Sequence, residues 1–104
     1  MVAYQVFFTA KREAEEAQIV ASLHEFLGAL RSDEWILGYR LLRVTDAASF
    51  AGLPQFQAII DFESREKLDA AMAHMRDPSR LEVGPHGVLM EGVGEFRVCF
   101  SADA

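Results

Sequence analysis

The sequence predicts an α+β fold in which four strands and two helices follow one another in the order βαββαβ. Four short apolar segments show the two-residue alternation typical of strands, and two others repeat apolar residues every three or four positions, as amphipathic helices do. Adjacent apolar residues also place hydrophobic side chains on both faces of some strands. Because two helices cover only one side of a four-stranded sheet, the other side needs a second subunit, a ligand, or both.

The first strand is predicted over residues 2–9, where Phe7 and Phe8 are adjacent and must point to opposite sides. Residues 11–31 then contain no proline, and glutamates near their start suit the positive end of a helix dipole. The apolar stripe of this segment comprises Ile19, Val20, Leu23, Phe26, Leu27 and Leu30. It predicts a helix that packs on the sheet along one face.

The second strand is predicted over residues 34–45, where Trp35 and Tyr39 would point to the same side. Two leucines stand side by side between Arg40 and Arg43, and this interrupts the alternation of apolar and polar residues. The sequence therefore does not assign either arginine to a face of the sheet. A loop rich in Asp, Ser, Gly and Pro separates this strand from the next one.

The third strand is predicted over residues 55–63, because its apolar and polar residues alternate plainly. Ser64 can cap the second helix, which is expected to stop at Asp77 and Pro78. The apolar stripe of this helix consists of Leu68, Ala71, Met72 and Met75.

The last part of the chain contains one ambiguous segment and one strand. Residues 79–92 fit no single pattern, although Pro85 could be the first residue of a short helix. The fourth strand is predicted over residues 93–101. One of its faces carries Phe96, Val98 and Phe100, and the other carries Glu95, Arg97 and Cys99.

Joined by right-handed crossovers, these elements give a single ferredoxin-like domain over residues 1–104, with a four-stranded antiparallel sheet and both helices on one face. The side that faces the helices is almost purely apolar. The opposite side mixes apolar and polar side chains, namely Gln5, Phe7, Gln57, Ile59, Asp61, Glu95, Arg97 and Cys99. This mixture is too apolar to be left in water and too polar for a dry core, which favours a second sheet against it.

In its element order, and in the run Ile60-Asp61-Phe62-Glu63-Ser64 that leads into the second helix, the chain resembles the dimeric α/β barrel superfamily. That superfamily includes stress-responsive barrel proteins, cofactor-independent antibiotic-biosynthesis monooxygenases and a plant polyketide cyclase. The resemblance covers essentially the whole chain. It implies a homodimer with two sheets face to face, pockets between sheet and helices, and no cofactor. It implies no particular reaction, because one fold hosts many sites.

The composition excludes several classes of function. A net charge of −6, with ten Lys and Arg among sixteen acids, disfavours nucleic acids and membrane surfaces as partners, because both attract clustered basic residues. The sequence offers no standard metal site, phosphate-binding glycine loop or Gly-x-Ser-x-Gly motif. The single cysteine, Cys99, lies in an apolar run and is expected to be a packed thiol. With no leader and no membrane-spanning segment, we expect a cytoplasmic protein.

Three histidines are candidates for chemistry near neutral pH. His24, at the edge of the first helical stripe, is expected to face solvent or a polar partner, and His74 is expected to be solvated. His86 stands among two glycines and a proline. The resemblance to cyclase-like barrels implies that a histidine in this region acts as a general base or polarises the substrate, although their compact His-Pro-x-x-His run is missing here. His86 is therefore the candidate catalytic residue.

The mixed side of the sheet supplies candidate substrate-binding residues. Asp61, Glu95 and Arg97 would form ion pairs inside the dimer, or Arg97 would orient an acidic or carbonyl-bearing ligand. Phe7 would add an apolar contact on the same side.

Two functions remain open. In the first, a homodimeric barrel binds a small apolar or aromatic molecule and acts on it without a cofactor, and Trp35 and Tyr39 line an aromatic-walled pocket. In the second, the protein is a non-catalytic dimer, stress-associated or ligand-sensing, in which these aromatic residues only pack and polar groups only fix the sheet register. The first predicts a cavity reached by His86, and the second predicts that Arg97 is paired with a carboxylate.

Overall fold

The computed structural model describes residues 1–52, 54–75 and 93–104. Its elements follow the predicted order. The strands are β1 (Val2–Ala10), β2 (Gly38–Arg43), β3 (Phe56–Phe62) and β4 (Val93–Ala102), and the helices are α1 (Glu16–Ser32) and α2 (Arg65–Met75). A short 3-10 turn over Glu13–Glu15 leads into α1. The helix stop expected at Asp77 and the short helix expected at Pro85 lie outside the described residues.

The four strands form one sheet in the order β2-β3-β1-β4, and every neighbouring pair is antiparallel. β1 and β3 are central, whereas β2 and β4 are edge strands. The pairing of β1 with β4 is regular except for a shift between Phe8 and Ala10. Together with two helices on one face, this topology confirms the ferredoxin-like fold. No helix within the described residues is long and apolar enough to cross a membrane.

The core lies between the sheet and the two helices. The buried residues come mainly from the predicted stripes of α1, β3 and α2: Ile19, Leu23, Leu27, Leu30, Phe56, Ala58, Ile60, Phe62, Leu68 and Ala71. Each large apolar side chain stabilises the fold by about 1.5–3 kcal/mol when it is removed from water. The helical stripes and the alternation of β3 were therefore correctly predicted, because their apolar periods match the geometry of the elements.

Ser64 caps α2, as the sequence predicts. Its hydroxyl oxygen accepts a hydrogen bond from the amide of Lys67 at 3.2 Å, and its carbonyl accepts one from the amide of Leu68 at 3.1 Å. The side chain thus satisfies one amide of the first helical turn that has no partner within the helix.

β2 is shorter than predicted, because it begins at Gly38 and not at residue 34. The backbone before it closes the end of α1. The Trp35 amide donates to the carbonyl of Leu30 at 2.9 Å, and the Glu34 amide donates to that of Arg31 at 3.1 Å. This pair of bonds is a Schellman motif, and Glu34 adopts its left-handed conformation with φ +63°. The prediction that Trp35 belongs to the strand was wrong, since its amide is engaged by the helix.

Candidate functional site

The strand register assigns every strand residue to a face. Phe7 pairs with Gln57 and Arg97, and Gln5 pairs with Ile59 and Cys99, so all of these lie on the side away from the helices. We call this side the mixed face. Its residues are Ala3, Gln5, Phe7, Thr9, Arg40, Leu42, Gln57, Ile59, Asp61, Glu95, Arg97, Cys99 and Ser101.

The register also settles the placement of the two arginines of β2. Arg40 pairs with Ile59 and lies on the mixed face. Arg43 pairs with Phe56 on the helix side, where its guanidinium lies 4.6 Å from the centre of the Phe56 ring and 3.4 Å from the Glu16 carboxylate. Of the two arginines of β2, Arg40 is therefore the one available to a partner of the mixed face.

A row of hydrogen-bonded side chains crosses the mixed face. The Gln57 amide donates to the amide oxygen of Gln5 at 2.9 Å, and the Gln5 amide donates to the hydroxyl of Ser101 at 2.8 Å. Phe7 and Ile59 lie beside this row and are half-buried within a single subunit. The row ties β3, β1 and β4 together and satisfies polar groups that a partner sheet would otherwise leave unpaired.

Arg97 is paired with Glu95 of the same strand. Two guanidinium nitrogens donate to one carboxylate oxygen, at 2.8 and 3.1 Å, and both side chains remain more than half exposed. Asp61 belongs to the row of Ala3 and Ser101, two strands and four residues from Arg97, or roughly 16 Å by strand geometry. The structure therefore does not bring Asp61 and Arg97 together within one subunit.

Trp35 and Tyr39 make separate contacts on the helix side. The Trp35 ring stacks on His74, with ring centres 4.0 Å apart and planes 16° apart. The Tyr39 hydroxyl lies 3.0 Å from Nδ1 of His24 and donates to the His24 carbonyl at 3.4 Å. His24 thus has the polar partner that the sequence suggests, whereas His74 is half-buried against an aromatic ring and not solvated.

A cleft of about 420 Å³ opens beside Trp35. The end of α1, the turn before β2, the end of β3 and the first turn of α2 meet there. Its apolar lining consists of Trp35, Ile36, Leu37 and Phe62, and its charged lining consists of Arg31, Glu34, Glu63 and Lys67. We call it the Trp35 cleft. Sequence reasoning identified Trp35 but missed the charged groups, because the end of α1 and the start of α2 meet only in the folded chain.

The helix side of β4 carries an exposed apolar stripe. Phe96, Val98 and Phe100 expose 54%, 43% and 48% of their surface, although the sequence predicts that the helices cover them. The helices make most of their contacts with β2 and β3, so the described residues leave the edge strand β4 largely uncovered. Tyr4 stacks on Phe100 at 5.1 Å, and the Arg65 guanidinium lies 5.6 Å from the centre of the Phe100 ring.

Two further predictions concern Cys99 and His86. Cys99 is exposed on the mixed face, so the prediction of a packed thiol is wrong for the single subunit; β4 is an edge strand that the described residues leave open. His86 lies outside the described residues and its catalytic role stays a prediction. Among the residues that the structure describes, no three His, Cys, Asp or Glu side chains are grouped to hold a metal ion.

These features can be compared with known proteins. Residues 1–100 match the model of DUF6614, a family of unknown function. The chain belongs to this family. No match is found among curated proteins.

Solved structures similar to this DUF6614 chain share its fold. A dabb family protein with a ferredoxin-like fold from Mesorhizobium loti is 15% identical, with a TM-score of 0.73 over 99% of this chain and 96% of that one. A dimeric ferredoxin-like protein of unknown function from Jannaschia is 14% identical, with a TM-score of 0.73 over 98% of both chains. SnoaB, a cofactor-independent oxygenase from Streptomyces nogalater, is 16% identical, with a TM-score of 0.71 over 98% of this chain and 91% of that one. The predicted resemblance to dimeric α/β barrels is thereby confirmed at the level of fold.

Proposed function

We propose that the protein is a homodimeric α/β barrel that binds a small apolar or aromatic molecule against the apolar stripe, without a cofactor. The exposure of Phe96, Val98 and Phe100 on the helix side of β4 carries this proposal. Three large hydrophobic side chains in a row are an unusual surface for a chain of this size and are typical of an interaction site.

The shape of the stripe suits a flat molecule. Phe96 and Phe100 are four residues apart on one strand, which spans about 13 Å and matches two or three fused rings. Tyr4, stacked on Phe100, widens the platform at one end. At the same end the guanidinium of Arg65 lies over the Phe100 ring, where it can donate hydrogen bonds to a carbonyl or phenolate oxygen of a bound ligand.

The dimer would form through the mixed face. Phe7 and Ile59 are half-buried in a single subunit, and a second sheet would remove the rest of their surface from water. The Gln57, Gln5 and Ser101 row is already hydrogen-bonded, so its burial leaves few polar groups unsatisfied. The Jannaschia protein of the same fold is described as dimeric, which supports this assembly.

Chemistry without a cofactor is supported by one structure of the same fold. The Streptomyces nogalater protein is described as a cofactor-independent oxygenase. Aerobic incubation of this protein with an aromatic ligand, followed by product analysis, separates conversion from binding. Turnover in the absence of any added metal or coenzyme would support an enzyme, and unchanged ligand would support a binding protein.

The non-catalytic alternative is favoured by one observation. Arg97 is already engaged by Glu95 at 2.8 Å, which is the carboxylate pairing that this alternative predicts. In this case the polar groups of the mixed face only fix the register of the sheets.

Ligand binding at the stripe is tested with 2-naphthol in thermal unfolding and titration calorimetry. Phe100→Ser removes the ring on which Tyr4 stacks and should abolish the stabilisation that 2-naphthol gives to the wild type. Phe50→Ser is the matched control, because Phe50 is 67% exposed in the loop between β2 and β3, far along the chain from the stripe. Equal loss in both variants, or no stabilisation of the wild type by 2-naphthol or by a hydroxylated anthraquinone, would contradict the proposal.

A further inference from the structure

The Trp35 cleft is lined by other residues than the apolar stripe, and its chemistry is different. About 420 Å³ of space is within the range of about 300–1,000 Å³ that small-molecule sites occupy. The side chains of Trp35 and Leu37 give it an apolar wall, and Leu37 is 51% exposed. The stack of His74 on Trp35 holds the indole ring in a fixed orientation, so this wall is preformed.

Each side of the cleft carries one cation and one anion. Arg31 and Glu34 stand at the end of α1, and Glu63 and Lys67 stand at the start of α2. The spacings are three and four residues, which bring opposite charges together on a regular helix. Elsewhere in this molecule such spacings do form ion pairs, as in Arg65 with Asp69 at 3.2 Å.

In the cleft these pairs are not formed. Within the described part of the chain, none of Arg31, Glu34, Glu63 and Lys67 has an oppositely charged group within 4.0 Å. The backbone provides the reason, because Glu34 leaves the helix in the left-handed conformation and Glu63 precedes the cap of α2. Two cations and two anions therefore line a common space, each without a charged protein partner in the described part of the chain.

The residue at position 34 is itself informative. A left-handed residue at a helix end is usually glycine, because any other side chain costs about 1–2 kcal/mol in this conformation. Here it is a glutamate, and it lines the cleft. Backbone strain at a residue that faces a cleft is typical of functional sites, where a particular side chain is required in spite of its conformational cost.

We infer that the Trp35 cleft binds a small zwitterion with an apolar body, of the type of a free α-amino acid with an apolar side chain. The carboxylate of the ligand accepts hydrogen bonds from Arg31 and Lys67, its ammonium group donates to Glu34 and Glu63, and its apolar body lies against Trp35 and Leu37. Binding here is independent of the apolar stripe, so this site and the proposed function can each fail alone.

The chain contains one tryptophan, so its fluorescence reports on the cleft directly. Excitation at the red edge of the indole band, with L-phenylalanine as the probe, should give a saturable change in emission. The single-charge analogues 3-phenylpropionate and phenethylamine should bind at least about tenfold more weakly than L-phenylalanine, because each leaves one pair of charged groups in the cleft unpaired. Equal affinity for the three probes would overturn the zwitterion assignment, and no response to any of them would overturn the site.

Two variants test the charged residues of the cleft, and a third tests its apolar wall. Lys67→Met and Glu34→Gln each remove one charge with little change in size and should weaken L-phenylalanine binding about tenfold. Lys11→Met and Glu66→Gln remove the same charges at exposed positions outside the cleft and should bind as the wild type does. Circular dichroism checks that each variant is folded, and Leu37→Ser tests the apolar wall without touching a charge. Wild-type affinity in the three cleft variants would overturn the inference, whereas Phe100→Ser should leave this titration unchanged.

Discussion

At the scale of single residues, backbone conformation and side-chain identity disagree at two described positions, Ala48 in the loop before β3 and Glu34. The φ of Glu34 is +63°, as the Schellman motif at the end of α1 requires, and in this motif the Trp35 amide donates to the carbonyl of Leu30 in the helix. The fold thus depends on a backbone conformation that glycine would adopt at lower cost. The Glu34 side chain lines the Trp35 cleft.

Replacing Glu34 by Gly should stabilise the protein. Relief of the left-handed conformation contributes about 1–2 kcal/mol, and the greater freedom of glycine in the unfolded chain offsets about 0.4–1 kcal/mol of it. We expect the free energy of unfolding to rise by about 1 kcal/mol, measured by urea denaturation at a fixed protein concentration. The same variant should lose affinity for L-phenylalanine, since the carboxylate is gone.

The control for this prediction is Glu66→Gly, in the first turn of α2. Glu66 is exposed and helical, so glycine there should lower the free energy of unfolding, by up to about 1 kcal/mol. A neutral or destabilising effect of Glu34→Gly would show that interactions of the Glu34 side chain outweigh the strain of its backbone.

Tyr39→Phe tests the contact between β2 and α1. The Tyr39 hydroxyl is bonded to both the ring and the carbonyl of His24, and the Phe ring would keep the packing without these bonds. We expect a loss of about 0.5–1.5 kcal/mol in urea denaturation. If His24→Ala alone produces the same loss and the double variant adds nothing further, the two residues act as one unit.

At the scale of elements, α2 depends on its cap. Ser64→Ala removes the acceptor of the Lys67 amide and should lower the free energy of unfolding by about 1 kcal/mol. Ser49→Ala is the matched control in the exposed loop before β3 and should stay within about 0.5 kcal/mol of the wild type. A Ser64→Ala variant as stable as the control would mean that water replaces the cap at no cost.

The elements also show what the sequence can and cannot predict. The stripes of α1 and α2 and the alternation of β3 are strictly periodic, and each was predicted within a few residues. The start of β2 was placed too early because Trp35, Ile36 and Leu37 are apolar like a strand. Trp35 is excluded from the strand by the hydrogen bond from its amide to the carbonyl of Leu30. The left-handed conformation of Glu34 could not be predicted, because glutamate rarely adopts it.

The candidate sites were less predictable than the fold, because they depend on partners far apart in the chain. The faces that carry Arg40 and Arg43 follow from the pairing of β2 with β3. The sequence alone does not show them, because the adjacent Leu41 and Leu42 interrupt the alternation of apolar and polar residues. Arg97 and Asp61 share a face, as predicted, yet the register separates them by two strands. The charged lining of the Trp35 cleft comes from the end of α1 with the turn after it, and from the end of β3 with the start of α2, which meet only in the folded chain.

At the scale of the whole molecule, the two sides of the sheet differ in composition and burial. The helix side holds the core over β3 and leaves the apolar stripe open on β4. The mixed face holds a satisfied polar row, half-buried apolar side chains, and Arg40 and Asp61 without an ion pair among the described residues. Such a surface suits the proposed second copy of the chain, which would have to supply groups of the opposite sign to these charges.

Ile59→Lys should therefore dissociate the proposed dimer. Ile59 lies on the central strand β3 between Gln5 and Arg40, so two added ammonium groups would be buried near the axis of a sheet-to-sheet interface, at a cost of several kcal/mol. Sedimentation velocity at micromolar concentration should give twice the chain mass of 11.6 kDa for the wild type and a single chain for the variant. Ala70→Lys adds the same charge on the exposed side of α2 and should remain a dimer. A wild type that sediments as a monomer would contradict the dimer, and the mixed face would then be a solvated surface of a single subunit. An Ile59→Lys variant that stays dimeric would place the dimer interface elsewhere.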